Sequence, residues 1–214
     1  MAMSLDEAVE AIIASGRRLD ARGLAPATSG NYSVRLGNGQ IAVTVSGRHK
    51  GRLSREDVML VDTDGVALEG KKPSAETALH TVIYRLYPQV NAVLHVHSIP
   101  VVALTRHLPG ASEIVLQGYE MLKAFPGITT HDIAVEIPIF ENSQDIVALA
   151  REVTEDTGQR LHSRATQAPA YLIRGHGAYG WGKDLEEAER VIEGLEHLLG
   201  CEIELRRLRA GVQT

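Results

Sequence analysis

The chain has 214 residues, 44% hydrophobic and 23% charged, which excludes a disordered or fibrous class and suffices for a buried core in one domain over 1–214. A formal net charge of −5 without a Lys/Arg run gives no electrostatic reason to expect nucleic acid or an anionic membrane surface as partner. Cys201 stands alone, which excludes an internal disulfide and suits a cytoplasmic setting; the start, Met1-Ala2-Met3-Ser4, lacks a signal-peptide pattern, and no apolar run approaches membrane-spanning length.

Ser4 and Glu7 have capping-box spacing, and Leu5, Ala8, Val9, Ile12, Ile13 and Leu19 recur at helical intervals up to Gly23, predicting a first amphipathic helix. Thr28-Ser29-Gly30-Asn31 follows, small residues that fit either a tight turn or the close approach of backbone to a ligand. Residues 32–36 and 41–45 read as strands joined through Gly37-Asn38-Gly39. The second runs into Ser46-Gly47-Arg48-His49-Lys50, a phosphate cradle or a solvated basic loop. Residues 58–61 and 66–68 flank Asp64-Gly65 as another hairpin, so the first third of the sheet is expected to be antiparallel.

Lys72-Pro73-Ser74-Ala75-Glu76 opens a helix with Ala78, Leu79, Val82, Ile83 and Leu86 at helical spacing, stopped by Tyr87-Pro88. Glu76 is expected in its first turn, where the helix dipole favours a carboxylate with or without a catalytic role. The apolar run 90–93 then leads into Leu94-His95-Val96-His97-Ser98, read as the end of a buried strand. Alternation puts both imidazoles on one face and Leu94 and Val96 on the other. Ser98 is placed to cap a helix through Val101, Val102, Ala103 and Leu104, closed by Pro109-Gly110.

Residues 113–116 are predicted as a strand and 119–123 as a short helix. Residues 134–139 alternate, and Pro138 places that strand near a sheet edge or its own end. Asn142 or Ser143 is expected to cap a helix through Ile146, Val147, Leu149, Ala150 and Val153. Residues 170–173 form a compact strand delivering Gly175-His176-Gly177. Asp184, with Glu187, starts a long final helix carrying Leu185, Ala188, Val191, Ile192, Leu195, Leu198 and Leu199 inward. The sum is an α/β fold, a mixed sheet flanked by helices.

Two neutral imidazoles aimed together make half of a metal site, although an H-x-H pair also occurs as a satisfied structural pair. Catalytic zinc commonly takes three protein ligands and keeps one position open, and His176, at the end of another strand, is the expected third ligand. His49, His80, His107, His131, His162 and His197 are read as surface or core histidines, with His80 the first to check because it follows Glu76 on the same helix.

Together the Thr28 to Asn31 loop, Ser46-Gly47, Pro73-Ser74-Ala75-Glu76, His95-Val96-His97 and Gly175-His176-Gly177 resemble the class II aldolase/adducin family over nearly the whole chain. The resemblance implies a three-layer α/β/α sandwich with a mixed, largely antiparallel central sheet, and homotetramers with sites at subunit interfaces. It implies one Zn2+ per subunit on His95, His97 and His176, polarising the carbonyl of a ketose phosphate. Glu76 then matches the catalytic glutamate of the aldolase branch, and Thr28, Gly30, Asn31, Ser46 and Gly47 become phosphate contacts, with Lys50 a further candidate.

Tyr119-Glu120-Met121-Leu122-Lys123, Ile137-Pro138-Ile139-Phe140-Glu141-Asn142-Ser143-Gln144-Asp145, and Tyr171-Leu172-Ile173-Arg174 before Gly175 with Trp181-Gly182 after it are similar to one branch of that family. Its members are lyases of methionine salvage that remove water from a methylthio ketose phosphate, and Glu120 matches their acid/base. Two other readings stay open: a sugar-phosphate aldolase or pentulose-phosphate 4-epimerase on the same scaffold, and a metal-free, adducin-like binding domain.

Overall fold

The computed structural model of the protein describes residues 3–160 and 166–211. The sequence readings at Met1-Ala2 and at His162 lie outside the described residues. Helix α1 (Leu5–Ala21) starts with the expected capping box, Ser4 Oγ accepting from Glu7 N and Glu7 Oε2 accepting from Ser4 N at 2.8 Å. Strands β1 (Asn31–Arg35) and β2 (Ile41–Thr44) form the first hairpin, with Asn38 Oδ1 accepting from Gln40 N across the turn. Strand β3 (Val58–Val61) adds to β2, but the strand expected at 66–68 shrinks to one bridge between Val61 and Ala67. Val66 and Leu68 are exposed there and find no layer to pack against.

Helix α2 (Thr77–Leu86) begins one residue after Glu76, which is its N-cap and not part of its first turn. Strand β4 (Ala92–Val96) leads to helix α3 (Ile99–His107), and Ser98 Oγ accepts from Val101 N as expected. Strand β5 (Glu113–Gln117), a 3-10 turn over Glu120–Ala124 and strand β6 (Ala134–Phe140) follow. Helix α4 (Ile146–Arg160) is capped by Asp145, whose Oδ1 accepts from Ala148 N at 2.9 Å, in place of Asn142 or Ser143. Strands β7 (Thr166–Gln167), β8 (Ala170–Ile173) and β9 (Gly177–Gly182) precede the long helix α5 (Leu185–Gly211).

The sheet runs β3-β2-β1-β4-β9-β8-β6-β5, with β7 beside β6. Among the described residues only β6 with β7 and β6 with β8 pair in parallel, so the sheet is mixed and largely antiparallel. Pro138 does lie near the end of β6, but β6 is not an edge strand. Its β7 pairs involve Val135 and Glu136 and its β8 pairs Ile139 and Phe140, so the missing N–H of Pro138 falls where the ladder changes partner.

Leu94 and Val96 join the core under α1, α3 and α5, whereas Val93, Tyr171 and Tyr179 join the core under α2 and α4. The expected three layers are thus present. Strand β9 was not anticipated, because Gly177, Gly180 and Gly182 blur its alternation. Packing requires all three: a Cβ on Gly177 would sit 2.2 Å from Val96 O on β4, while one on Gly180 would sit 2.7 Å from Ile192 Cδ1 and one on Gly182 2.7 Å from Ala188 N, so α5 lies directly on the strand.

Candidate metal centre

Strand β4 pairs with β9 so that His95 lies opposite Tyr179, and the β8–β9 turn carries His176 over the end of β4. Gly175 takes a left-handed conformation in that turn (φ 64), which a side-chain-bearing residue rarely adopts. Arg174 anchors the turn to α3 and the segment after it by donating to Thr105 O, Leu108 O and Ala111 O at 2.5–2.7 Å. These local devices bring His176 to His95 and His97 from 79 residues beyond His97 in the chain.

The three ligand atoms offered by His95, His97 and His176 lie within 4.8 Å of one another. His95 is fully buried, its ring stacked on Tyr179 with centroids 4.2 Å apart, and its Nδ1–H donates to Ala178 O at 3.0 Å. That bond leaves the Nε2 lone pair facing His97 Nε2 at 2.9 Å. His176 Nδ1–H likewise donates to Asn142 Oδ1 at 3.2 Å and turns Nε2 toward Glu76 Oε1, 3.1 Å away. Glu76 Oε2 lies 3.6 Å from His95 Nε2. Acceptor atoms converging in this way are held together by a cation among them, so the donor set fits a divalent metal with a carboxylate at its edge.

Burial pushes His95 down to about 3 and His97 down to about 4, so both rings are neutral ligands near neutral pH. For Glu76, burial works toward the acid form, but a proton on His176 or on His95, when either ring carries one there, and the hydrogen bond from Asn31 outweigh it and hold the carboxyl below its ordinary range. Asn31 Nδ2 donates to Glu76 Oε2 at 2.7 Å. Asn31 Oδ1 therefore accepts from His80 Nε2, His80 Nδ1 accepts from Ser33 Oγ at 2.7 Å, and Ser33 Oγ accepts from Tyr84 OH at 2.8 Å. His80 is thus a core histidine, as expected, and it stands behind the site.

Two cavities meet at the cluster, and both are bordered by His97 and His176. One, of about 300 Å3, is lined by Thr28, Gly30, Asn31, Ser46 and Gly47, and also by Ser29 and Ser74, which the sequence reading had not selected. The other, of about 630 Å3, opens between the loop at Pro26 and the start of α3. Lys50 is buried, with Nζ donating to Thr28 O at 2.8 Å and Arg48 O at 2.5 Å, and burial lowers it to about 8. It braces the two loops from behind. Glu120 lies apart from the cluster on the 3-10 turn, its side chain 71% exposed and 2.5 Å from Lys123 Nζ.

The Class II Aldolase and Adducin N-terminal domain matches residues 10–203. The chain belongs to the class II aldolase and adducin family. It is 48% identical, over 94% of its length and 95% of the other, to a methylthioribulose-1-phosphate dehydratase from Marinobacter nauticus. It is 50% identical to one from Methylococcus capsulatus, over 92% of this chain and 94% of that one. Among solved structures, an L-fuculose-1-phosphate aldolase from Thermus thermophilus superposes with a TM-score of 0.75 at 28% identity, covering 97% of this chain and 99% of that one. Membership in this metal-dependent family and the histidine cluster agree with each other. Among the described residues no helix is long and apolar enough to cross a membrane.

Proposed function

We propose that the chain is a zinc-dependent hydro-lyase converting 5-methylthioribulose 1-phosphate to 2,3-diketo-5-methylthiopentyl 1-phosphate and water, a step of methionine salvage. The observation that carries the reading is the convergence of His95, His97, His176 and Glu76 between two cavities, in a chain about half identical to dehydratases of that name. We take it to act as a single-domain subunit of a cytoplasmic homotetramer.

Thr28, Gly30, Asn31, Ser46 and Gly47, with Ser29 and Ser74, hold the phosphate in the smaller cavity. Ser29 Oγ supports this assignment, being buried without a hydrogen-bond partner among the described residues. Gly30 lets this loop pass close to β4, since a Cβ on it would lie 2.7 Å from His95 O. Zinc on the three histidines supplies Lewis acidity toward the C2 carbonyl, which acidifies the C3 hydrogen. Glu76, held by Asn31, orients the sugar hydroxyls beside the histidines.

Glu120 takes the C3 proton and returns it to the departing C4 oxygen, so one carboxyl serves both transfers and water leaves. The C3=C4 enol that remains tautomerises to the ketone. Because Glu120 is exposed and borders neither cavity, we assign it to the site of a neighbouring subunit. The likeness to L-fuculose-1-phosphate aldolase favours aldol cleavage between C3 and C4 as the second reading. Incubation with methylthioribulose 1-phosphate separates the two: diketone absorbance supports dehydration, and release of methylthioacetaldehyde with a triose phosphate supports cleavage instead.

A further inference from the structure

The larger cavity has no part in holding phosphate, yet it opens directly onto His97 and His176. Its walls between the Pro26 loop and the first turn of α3 are Pro26, Ile99, Val102 and Ala103. Ile99 is 83% exposed, a large apolar side chain left in water at the mouth of a polar centre. The smaller cavity, bordered by the same two histidines, is walled instead largely by hydroxyls and glycines. The larger cavity also meets Ser98, Asn142 and Gln144, so its apolar face is the wall between Pro26 and α3.

We propose that Pro26, Ile99 and Val102 form the subsite for the thioether end of the substrate, and that they set the enzyme's preference for a methylthio group on C5. The proposal rests on the dehydratase reading. In that substrate the phosphate sits on C1 and the methylthio group on C5, at opposite ends of the C2 to C4 segment that reacts. With phosphate in the hydroxyl-lined cavity and C2 at the histidines, C5 extends toward Val102 and Ile99. Contact there removes apolar surface of both partners from water, and the side chains of Pro26, Ile99 and Val102 have no polar group to leave unpaired.

A pocket of this kind discriminates an added small apolar group by about 10- to 100-fold in kcat/KM. The test uses metal-loaded protein with methylthioribulose 1-phosphate and with 5-deoxyribulose 1-phosphate, which lacks only the methylthio group. The native protein favours the first ketose, Val102→Asn and Ile99→Asn bring the ratio of the two kcat/KM values close to one, and Val66→Asn, on the far hairpin, leaves it unchanged. Each ratio is internal to one preparation, so partial misfolding of a variant does not move it. A preference that survives in both Val102→Asn and Ile99→Asn overturns the subsite. Failure of the native, metal-loaded protein to dehydrate either ketose overturns the dehydratase reading and the subsite with it.

Discussion

Asn31 holds Glu76 from a strand 45 residues away in sequence, its Nδ2 donating to Glu76 Oε2 at 2.7 Å while its Oδ1 accepts from His80. Both atoms of the amide are therefore engaged inside the protein, and its orientation is fixed by the buried line of Ser33 and Tyr84 behind His80. Asn31 thereby serves Glu76 as well as bordering the phosphate cavity. A hydrogen bond to a charged group is worth about 1.5–3 kcal/mol, so Asn31→Ala is expected to lower kcat about 10- to 100-fold. Bound metal should remain at the native level. Undiminished kcat would show that Glu76 needs no such support.

His80 gives a pH signature separate from the metal ligands. Burial pushes it down to about 3 from an ordinary 6.5, so on acidification the unfolded chain takes up a proton there long before the folded one. A histidine with a depressed folded value stabilises the fold less as pH falls from about 6.5 toward 3. Thermal midpoints from pH 7 to pH 5 should therefore fall more steeply for the native protein than for His80→Gln. Parallel curves for the two proteins would contradict this.

Glu196 works in the opposite direction. Burial raises its carboxyl to about 7, against a hydrogen bond from Ser98 Oγ at 2.6 Å that lowers it. The folded state holds a proton that the unfolded chain gives up near 4.5, so this group's contribution is lost as pH rises through 7. Glu196→Gln should gain thermal stability relative to native as pH goes from 5 to 8. A difference that shrinks over that range would be the wrong sign.

The role given to Glu120 has a test that does not depend on its own kinetics alone. Glu120→Gln is expected to lower kcat about 100- to 10,000-fold, as loss of a general acid/base does. His176→Ala should be inactive for a different reason. Dissociating and reassembling the two variants together should recover part of the turnover, because mixed assemblies contain sites with three histidines and a neighbour's Glu120. Full activity of Glu120→Gln removes it from the chemistry, and lack of recovery on mixing removes it from the neighbour's site.

What the sequence disclosed follows the range of the forces involved. Helices with a cap and a strong period, such as α1 with Ser4 and Glu7 or α3 with Ser98, were legible because their signals are local. The metal cluster was legible because strand alternation puts His95 and His97 on one side and glycines mark the turn at His176. Strand β9 was hidden by glycines whose need shows only when β4 and α5 pack against them. Ala178 fixes the tautomer of His95 through a backbone carbonyl that any residue supplies, and Asn142, which read as a helix cap, instead takes the Nδ1–H of His176. Lys50 read as a basic loop residue and a candidate phosphate contact, and only the fold shows it buried with its Nζ turned to Thr28 O and Arg48 O.

The most direct measurement is metal content together with turnover in one preparation. Purified protein should carry about one equivalent of divalent metal per chain. Chelation should abolish diketone formation from methylthioribulose 1-phosphate, zinc should restore it, and His176→Ala should neither retain the metal nor respond to zinc. Diketone formation that persists in metal-stripped protein, or in His176→Ala, would contradict the account at its centre.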